Sequence, residues 1–253
     1  MLGAHPAPAF LLDQLAAVDD ADLRACGERH AGISGTRQRI SLDVIDRNGV
    51  HDTSVATLAW RRFDDGHARV LVRMSAPPAR AGVGLLMIEG TAQPQLYLYL
   101  PELRRTRRIT GQALAGSMLG TDFSYEDFAA FQGLAPATGV RRLDDAVLGE
   151  RDVWRFEMVG AARAGGYQRV VTWLDPATCV PLRMEFFAAA GEPAKVLEVD
   201  MASIAPAGAL ALPRRAVMFD RRHGSRTELV VEELDLAAPS EHALGLPALQ
   251  GGQ

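Results

Sequence analysis

Apolar and polar residues alternate with a period of two along most of this chain, and the alternation sets in at Thr36. Ile40, Leu42 and Val44 alternate with Arg39, Ser41 and Asp43, the pattern of a half-buried strand. Arg47-Asn48-Gly49 supplies the positive φ values of a tight hairpin, and Thr53–Phe63 is the returning strand. After a turn at Asp64-Asp65-Gly66, Ala68, Val70, Val72 and Met74 alternate with Arg69, Leu71 and Arg73. The result is an antiparallel meander rather than a β-α-β pattern. Ala76–Gly84 is a loop, and the unbroken apolar run Leu85–Ile88 predicts a strand with little water on either face. Further strands are expected at Val140–Val147, Val153–Val159, Tyr167–Leu174, Val180–Ala188, Ala194–Ile204, Arg214–Phe219 and Thr227–Leu236. Upstream, Met1–Ala9 reads as a flexible tail. Phe10, Leu11, Leu15 and Val18 share one helical face, and Asp20 is a plausible N-cap for a second short helix ending near Arg29. The segment from Ala238 to Gln253 reads as a disordered tail.

Gln95–Gln132 breaks the rhythm. Leu96, Leu98 and Leu100 alternate with Tyr97 and Tyr99, Pro101 interrupts the ladder, and four arginines follow within five positions: Arg104, Arg105, Arg107 and Arg108. A Gly-punctuated apolar segment with Leu114, Met118 and Leu119 comes next. It ends at Asp122-Phe123-Ser124-Tyr125-Glu126-Asp127, where Ser124 and Asp127 stand at capping-box spacing ahead of a short helix from Tyr125 to Gln132. A strand, a cationic run, an apolar loop and a capped helix in succession suit a sheet whose apolar face is covered by a mobile segment.

The same stretch carries a resemblance. YLYLPELRRTRRI followed by GSMLGTDFSYEDF resembles the core motif of the outer-membrane lipoprotein-sorting proteins, a branch of the LolA-like periplasmic carriers, across Tyr97–Phe128. Asp175–Arg183 is similar to the family's D-x-x-T-x-x-P hairpin, and Leu212-Pro213-Arg214-Arg215 with Thr227 gives a third, weaker match. The resemblance spans most of Thr36–Leu236. It implies an open, strongly curved antiparallel sheet, an incomplete barrel of roughly ten to twelve strands, with short helices as a lid. It also implies a cavity for acyl chains, no catalysis, and an arginine that holds the lid closed. The expected organisation is a tail with covering helices over residues 1–35, the open barrel over 36–237 with its lid at 111–132, and a flexible tail over 238–253. The residues expected at the cavity and lid are Trp60, Val70, Val72, Met74, Leu96, Leu98, Leu100, Met118, Leu119, Phe123, Tyr125, Trp154, Phe156, Met158 and Trp173. Arg104, Arg105, Arg107 and Arg108, with Asp122, Glu126 and Asp127, are expected to lock the lid or hold a head group. The arginine run also reads as a solvated strand edge.

Composition narrows the classes. Hydrophobic residues make up 48% of the 253 and charged residues 23%, and the formal net charge is -4, so nothing attracts nucleic acid to the protein as a whole. Lys195 is the only lysine among 27 basic residues. No run of about 18 apolar residues exists to cross a membrane as a helix. Met1–Pro6 has neither a charged n-region nor an apolar h-region, and the resemblance then implies a mature or trimmed form. Cys26 and Cys179, the only cysteines, read as two free buried thiols, with a single disulfide open to them in an oxidising compartment.

Signatures of chemistry are few. His5, His30, His51, His67, His223 and His242 show no metal-ligand spacing, so neither metal nor cofactor is expected. Ser117, in Gly116-Ser117-Met118-Leu119-Gly120, does not match a nucleophile elbow. Asp122 and Glu126 invite a glycosidase-like reading, but acidic groups beside a helix start favour its dipole, and structural pairing is the simpler role. Together with the absence of such signatures, the resemblance implies a non-enzymatic, monomeric periplasmic carrier. It would take acyl chains of lipid or lipoprotein from an inner-membrane transporter toward an outer-membrane acceptor. The alternatives are a lipid-binding accessory of a resistance-nodulation-type exporter, and a hydrolase working through Asp122 or Glu126.

Overall fold

The structure, a computed structural model, describes residues 20–30, 35–63, 67–90, 94–131, 139–159, 167–208 and 210–251. The helix expected on Phe10–Val18 and the turn at Asp64–Gly66 lie outside the described residues. Where the period-two pattern predicts strands, strands form. The first half contributes β1 (Gly35–Ile45), β2 (His51–Arg62), β3 (Ala68–Ala76), β4 (Gly84–Ile88), β5 (Gln95–Leu100) and β6 (Arg105–Ile109). The second half opens with β7 (Val140–Arg142), β8 (Ala146–Leu148), β9 (Arg151–Val159), β10 (Arg169–Leu174) and β11 (Pro181–Phe187). It continues through β12 (Lys195–Val199), β13 (Ile204–Ala207), β14 (Leu210–Pro213), β15 (Arg215–Asp220) and β16 (Ser225–Asp235). One antiparallel sheet of 14 strands runs β6-β5-β4-β3-β2-β1-β16-β15-β12-β11-β10-β9-β7, with β8 also on β9, and it does not close. The β13–β14 hairpin stands apart. The two halves join where β1 pairs β16, with Leu42 opposite Leu229 and Val44 opposite Thr227.

The sheet has more strands than the ten to twelve expected, for local reasons. The cationic run is itself a strand, β6, along one free edge. Val140–Val147 divides into β7 and β8. The expected Ala194–Ile204 strand stops at Val199, where the Asp200 side chain accepts from Ala202 N and caps a 3-10 turn over Met201–Ser203.

Register assigns the faces, because residues directly opposite in an antiparallel pair share a face. Trp60, Val70, Met87 and Leu96 lie in one row across β2 to β5, and Leu58, Val72, Leu85 and Leu98 in the next. In the second half Trp154, Phe156 and Met158 stand opposite Leu174, Thr172 and Val170. This inner face builds one buried cluster that contains Trp60, Val70, Val72, Met74, Leu96, Phe156 and Met158.

The outer face of β2–β5 is covered too, and by a segment the sequence pattern assigns to a disordered tail. A 3-10 turn (His242–Leu244) and α3 (Leu246–Leu249), the last of the three α-helices among the described residues, pack Leu244 and Leu249 against Phe63, Leu71 and Leu86. The Arg73 guanidinium donates to the carbonyls of Ala248 and, at 3.0 Å, Leu249. Gln250 Nε2 donates to Thr106 Oγ1 at 3.2 Å. The flexible-tail expectation for 238–253 thus fails over 242–250. The cover also explains the unbroken apolar run in β4, since Leu85 and Met87 face in while Leu86 lies under α3.

Helix α1 (Ala21–His30) starts where expected: Asp20 Oδ1 accepts from the backbone N–H of Leu23 at 3.0 Å and Asp22 at 3.1 Å. Its buried side presents Leu23 and Cys26, and Cys26 forms a disulfide with Cys179 in the β10–β11 turn, with Cα atoms 5.5 Å apart. The free-thiol reading is therefore corrected. The pair is separated by 153 residues, so only the folded sheet brings it together.

Candidate functional site

The covering segment begins as β6 ends. Gly111–Ala115 is an exposed 3-10 turn from which only Leu114 reaches the core. Ser117 and Ser124 then form an isolated bridge, and between them the chain folds on itself. Met118 N donates to Phe123 O at 2.8 Å, Thr121 N to Met118 O at 3.0 Å, and Ser117 Oγ to Thr121 O at 2.7 Å. Leu119 and Gly120 make the tip with φ of 54° and 86°, the left-handed region that glycine tolerates best. Helix α2 (Tyr125–Phe131) follows with a reciprocal cap: Ser124 N donates to Asp127 Oδ2 at 2.8 Å, and Asp127 N to Ser124 Oγ at 2.9 Å. Met118, Phe123, Tyr125 and Phe128 are buried in the main cluster, and Leu119 packs partly against it. The segment thus covers part of the inner face, as the expected lid would.

What seats it is a polar patch at one end of that face. Lys195 opens β12, Asp220 closes β15 directly opposite, and Ser225 and Thr227 begin β16. Lys195 Nζ donates to Asp127 Oδ2 at 2.6 Å and to the carbonyl of Asp122 at 2.7 Å, with Asp220 Oδ2 3.9 Å away. Lys195 thereby holds one carboxylate, that of Asp127, and one backbone carbonyl of the segment. Thr227 Oγ1 donates to Asp122 Oδ2 at 2.7 Å and accepts from Asp122 N at 2.8 Å, and Ser225 Oγ donates to Asp122 Oδ1. Lys195 is 3% exposed and Asp127 1%, so this ion pair is out of water. Asp220 also accepts from Arg222 Nη2 at 2.8 Å. Burial alone raises the pKa of Asp220, but hydrogen bonds from Arg222 and His223, with the charges of Arg222 and Lys195, outweigh it and hold it at about 2. Tyr167 faces the same patch; burial first, and the Asp127 charge second, push its hydroxyl pKa up, so the phenol stays protonated.

The expected pairing of the arginines with these carboxylates does not form. Among the described residues Arg104, Arg105, Arg107 and Arg108 form no ion pair with Asp122, Glu126 or Asp127, and all are exposed. Asp122 and Asp127 turn instead to Lys195, Ser225 and Thr227, while Glu126 is buried with a partner of its own. Arg104 sits outside the strand in a left-handed turn (φ 45°). Arg105 and Arg107 pair with Leu100 and Leu98 and so belong to the inner face, whereas Arg108 pairs with Tyr97 on the outer one. Trp173 pairs with Arg155 and Arg183, their guanidiniums 5.5 and 5.7 Å from its ring, and packs in part against the main cluster. Trp154 keeps an inner-face position, with Arg142 over its ring at 5.0 Å. Sequence reasoning missed Lys195 and Asp220. The available signal was a lone lysine between Ala194 and Val196-Leu197 in a chain that otherwise uses arginine.

Among the described residues no cluster of His, Cys, Asp or Glu could hold a metal, and no helix is long and apolar enough to cross a membrane.

No curated protein matches the sequence. Several solved structures match the fold. An outer membrane lipoprotein-sorting protein domain from Vibrio parahaemolyticus superposes with a TM-score of 0.82 at 22% identity, over 90% of this chain and 97% of that one. A protein from a family of unknown function in Desulfovibrio piger gives 0.80 at 18% identity, over 96% and 98%. A LolA-superfamily protein from Nitrosomonas europaea gives 0.66 at 15%, over 94% and 97%. The fold is therefore the open, curved LolA-like sheet that the motif at Tyr97–Phe128 leads one to expect. A family model described only as an uncharacterized protein matches residues 66–244, well over half of the sequence, and it is to this family that the chain belongs.

Proposed function

We propose that this protein is a non-enzymatic carrier of acyl chains in the periplasm, moving lipid or lipoprotein between an inner-membrane transporter and an outer-membrane acceptor. The observation that carries the reading is an apolar inner face covered by a lid rather than by the sheet's own closure. Burying Met118, Phe123 and Phe128 contributes ~1.5–3 kcal/mol each, roughly 5–9 kcal/mol together. A palmitoyl-length chain of about 14 methylenes offers roughly 11 kcal/mol at ~0.8 per methylene. Acyl chains can therefore replace the lid side chains on the inner face without any polar recognition. The Cys26–Cys179 disulfide suits an oxidising compartment such as the periplasm. The non-enzymatic part is supported by the use of Asp122 and Asp127 as lid anchors.

Native mass spectrometry of the protein purified from its own periplasm tests the reading. A co-purifying mass of one or two acyl chains is expected. Protein that carries no lipid, and takes up no acyl probe afterwards, would rule the carrier out. Turnover of a glycan, ester or phosphoester that disappears in Asp122→Asn or Glu126→Gln would instead make it a hydrolase.

A further inference from the structure

The inner face changes character toward its β6 edge. Along β5, Leu96 is fully buried, while Leu98 and Leu100 are only half-buried. Their partners across β6 follow the same gradient: Ile109 opposite Leu96 packs on the core, but Arg107 and Arg105 opposite Leu98 and Leu100 are exposed. Two guanidiniums thus stand beside two half-covered leucines, on the lid's own face and a few residues before the lid begins.

Several other arginines of the sheet meet carboxylates. Arg62 meets Glu89, Arg141 meets Glu157, Arg151 meets Asp175, and Arg183 meets Glu185 and Glu198. Arg105 and Arg107 have no carboxylate partner among the described residues, although the chain carries more acidic than basic groups, 31 against 27. Two guanidiniums two residues apart on one strand face raise the local positive potential, and their planar forks suit phosphate or carboxylate oxygens.

Resting on the carrier reading, we propose that the cargo is an amphiphile with an anionic head. Its head binds Arg105 and Arg107 at the β6 edge, and its chains run over Leu98 and Leu100 toward Leu96 and Met118 under the lid. The positive edge sets orientation, since only one way of lying along β5 and β6 puts charge on charge and methylene on leucine. Arg104 and Arg108, in the turn and on the outer face, take no part.

Displacement of the neutral fluorescent probe N-phenyl-1-naphthylamine tests this, using palmitoyl lysophosphatidylglycerol and palmitoyl lysophosphatidylcholine below their micellar concentrations. The two share one chain and differ in head charge. The wild type is expected to release probe at about tenfold lower concentration of the anionic lipid, equivalent to ~1.4 kcal/mol. Arg105→Gln/Arg107→Gln should bring the two lipids within about twofold of each other, while Arg104→Gln/Arg108→Gln should keep the tenfold preference. Equal competition by both lipids in the wild type overturns the inference while leaving the carrier intact, and so does a preference that survives the Arg105/Arg107 pair. Millimolar inorganic phosphate, at constant ionic strength, should leave the preference in place; if it abolishes the preference, the arginines hold a free anion and the inference fails. A protein that binds neither probe nor lipid loses the carrier reading as well.

Discussion

Lys195→Met is the substitution that most directly tests how the lid is held. The methionine keeps the apolar stem and deletes the ammonium that bonds Asp127 at 2.6 Å and the Asp122 carbonyl at 2.7 Å. Removing one member of a buried ion pair costs ~3–5 kcal/mol, mostly because the other charge stays buried and unpaired. That cost falls on the closed state alone, because lifting the lid returns Asp127 to water. The lid equilibrium should therefore move by ~3 kcal/mol toward open, on the order of a hundredfold in the open population. Amide exchange reads this directly. The N–H groups of Asp122, bonded to Thr227 Oγ1, and Ser124, bonded to Asp127 Oδ2, should exchange on the order of a hundredfold faster. Those of Val72 and Leu42 in the sheet should change far less. Adding Asp127→Asn, which removes the stranded charge, should recover part of the protection. Unchanged exchange at Asp122 and Ser124 would refute the lock. Equal acceleration in lid and sheet would mean that Lys195 holds β12 to β15 instead.

Four further outcomes are expected. Because the folded pKa of Asp220 lies near 2, below the unfolded value of about 3.9, its contribution is complete above pH ~4 and is lost as pH falls toward 2. An acid-unfolding series should therefore show a shallower loss between pH 4 and 2 in Asp220→Asn, and an identical slope would contradict the assignment. Cys26→Ser or Cys179→Ser opens a loop of 153 residues and should lower stability by ~2–5 kcal/mol in urea titrations; a midpoint that ignores reductant would count against the bond. Leu249→Ala should cost ~2–5 kcal/mol, because Leu249 is fully buried on the outer face against Gly84, whereas a flexible tail predicts no change. Within the lid, amides of Gly111–Gly116 should exchange faster than those of Met118–Phe128, and acyl ligand should slow the first group more; uniform exchange would make the lid one rigid piece.

Much of this fold is legible because strands signal themselves locally. Ile40, Leu42 and Val44 declare a half-buried strand by parity alone, Asn48-Gly49 declares its turn, and Ser124 with Asp127 declares the start of α2. Parity also places Arg105 and Arg107 on one face, which the register with Leu100 and Leu98 bears out. The unreadable parts depend on partners distant in sequence. Leu244 and Leu249 look like any apolar residues in a Gly- and Pro-punctuated tail until Leu71 and Leu86 supply the surface they cover. Cys26 and Cys179 carry no spacing rule that spans 153 residues. The resemblance implies an arginine at the lid lock, and the arginine run lies in the same stretch as Asp122 and Asp127. The register of β12, β15 and β16 instead assembles Lys195, Asp220, Ser225 and Thr227 at a single spot.

That assembly gives the lid two unlike ends. Its late half is tied down by a buried ion pair, two hydroxyl–carboxylate bonds and four core side chains, all on the second half of the sheet or the cluster beneath it. Its early half, Gly111–Gly116, follows the β6 edge through Thr110, and only Leu114 reaches the core. An amphiphile arriving at the arginine edge meets this lightly held half first. Moving it breaks no bond to Lys195, and Leu98 and Leu100 on β5 are already only half-buried. The methylenes gained there supply ~0.8 kcal/mol each, so roughly four to six of them match the ~3–5 kcal/mol that the buried ion pair opposes to full opening. Entry can then proceed as a succession of small exchanges, with the lysine lock yielding last, after the chain already lies on the inner face. A lid locked at the arginine edge itself would have to open in one step before any apolar surface became available.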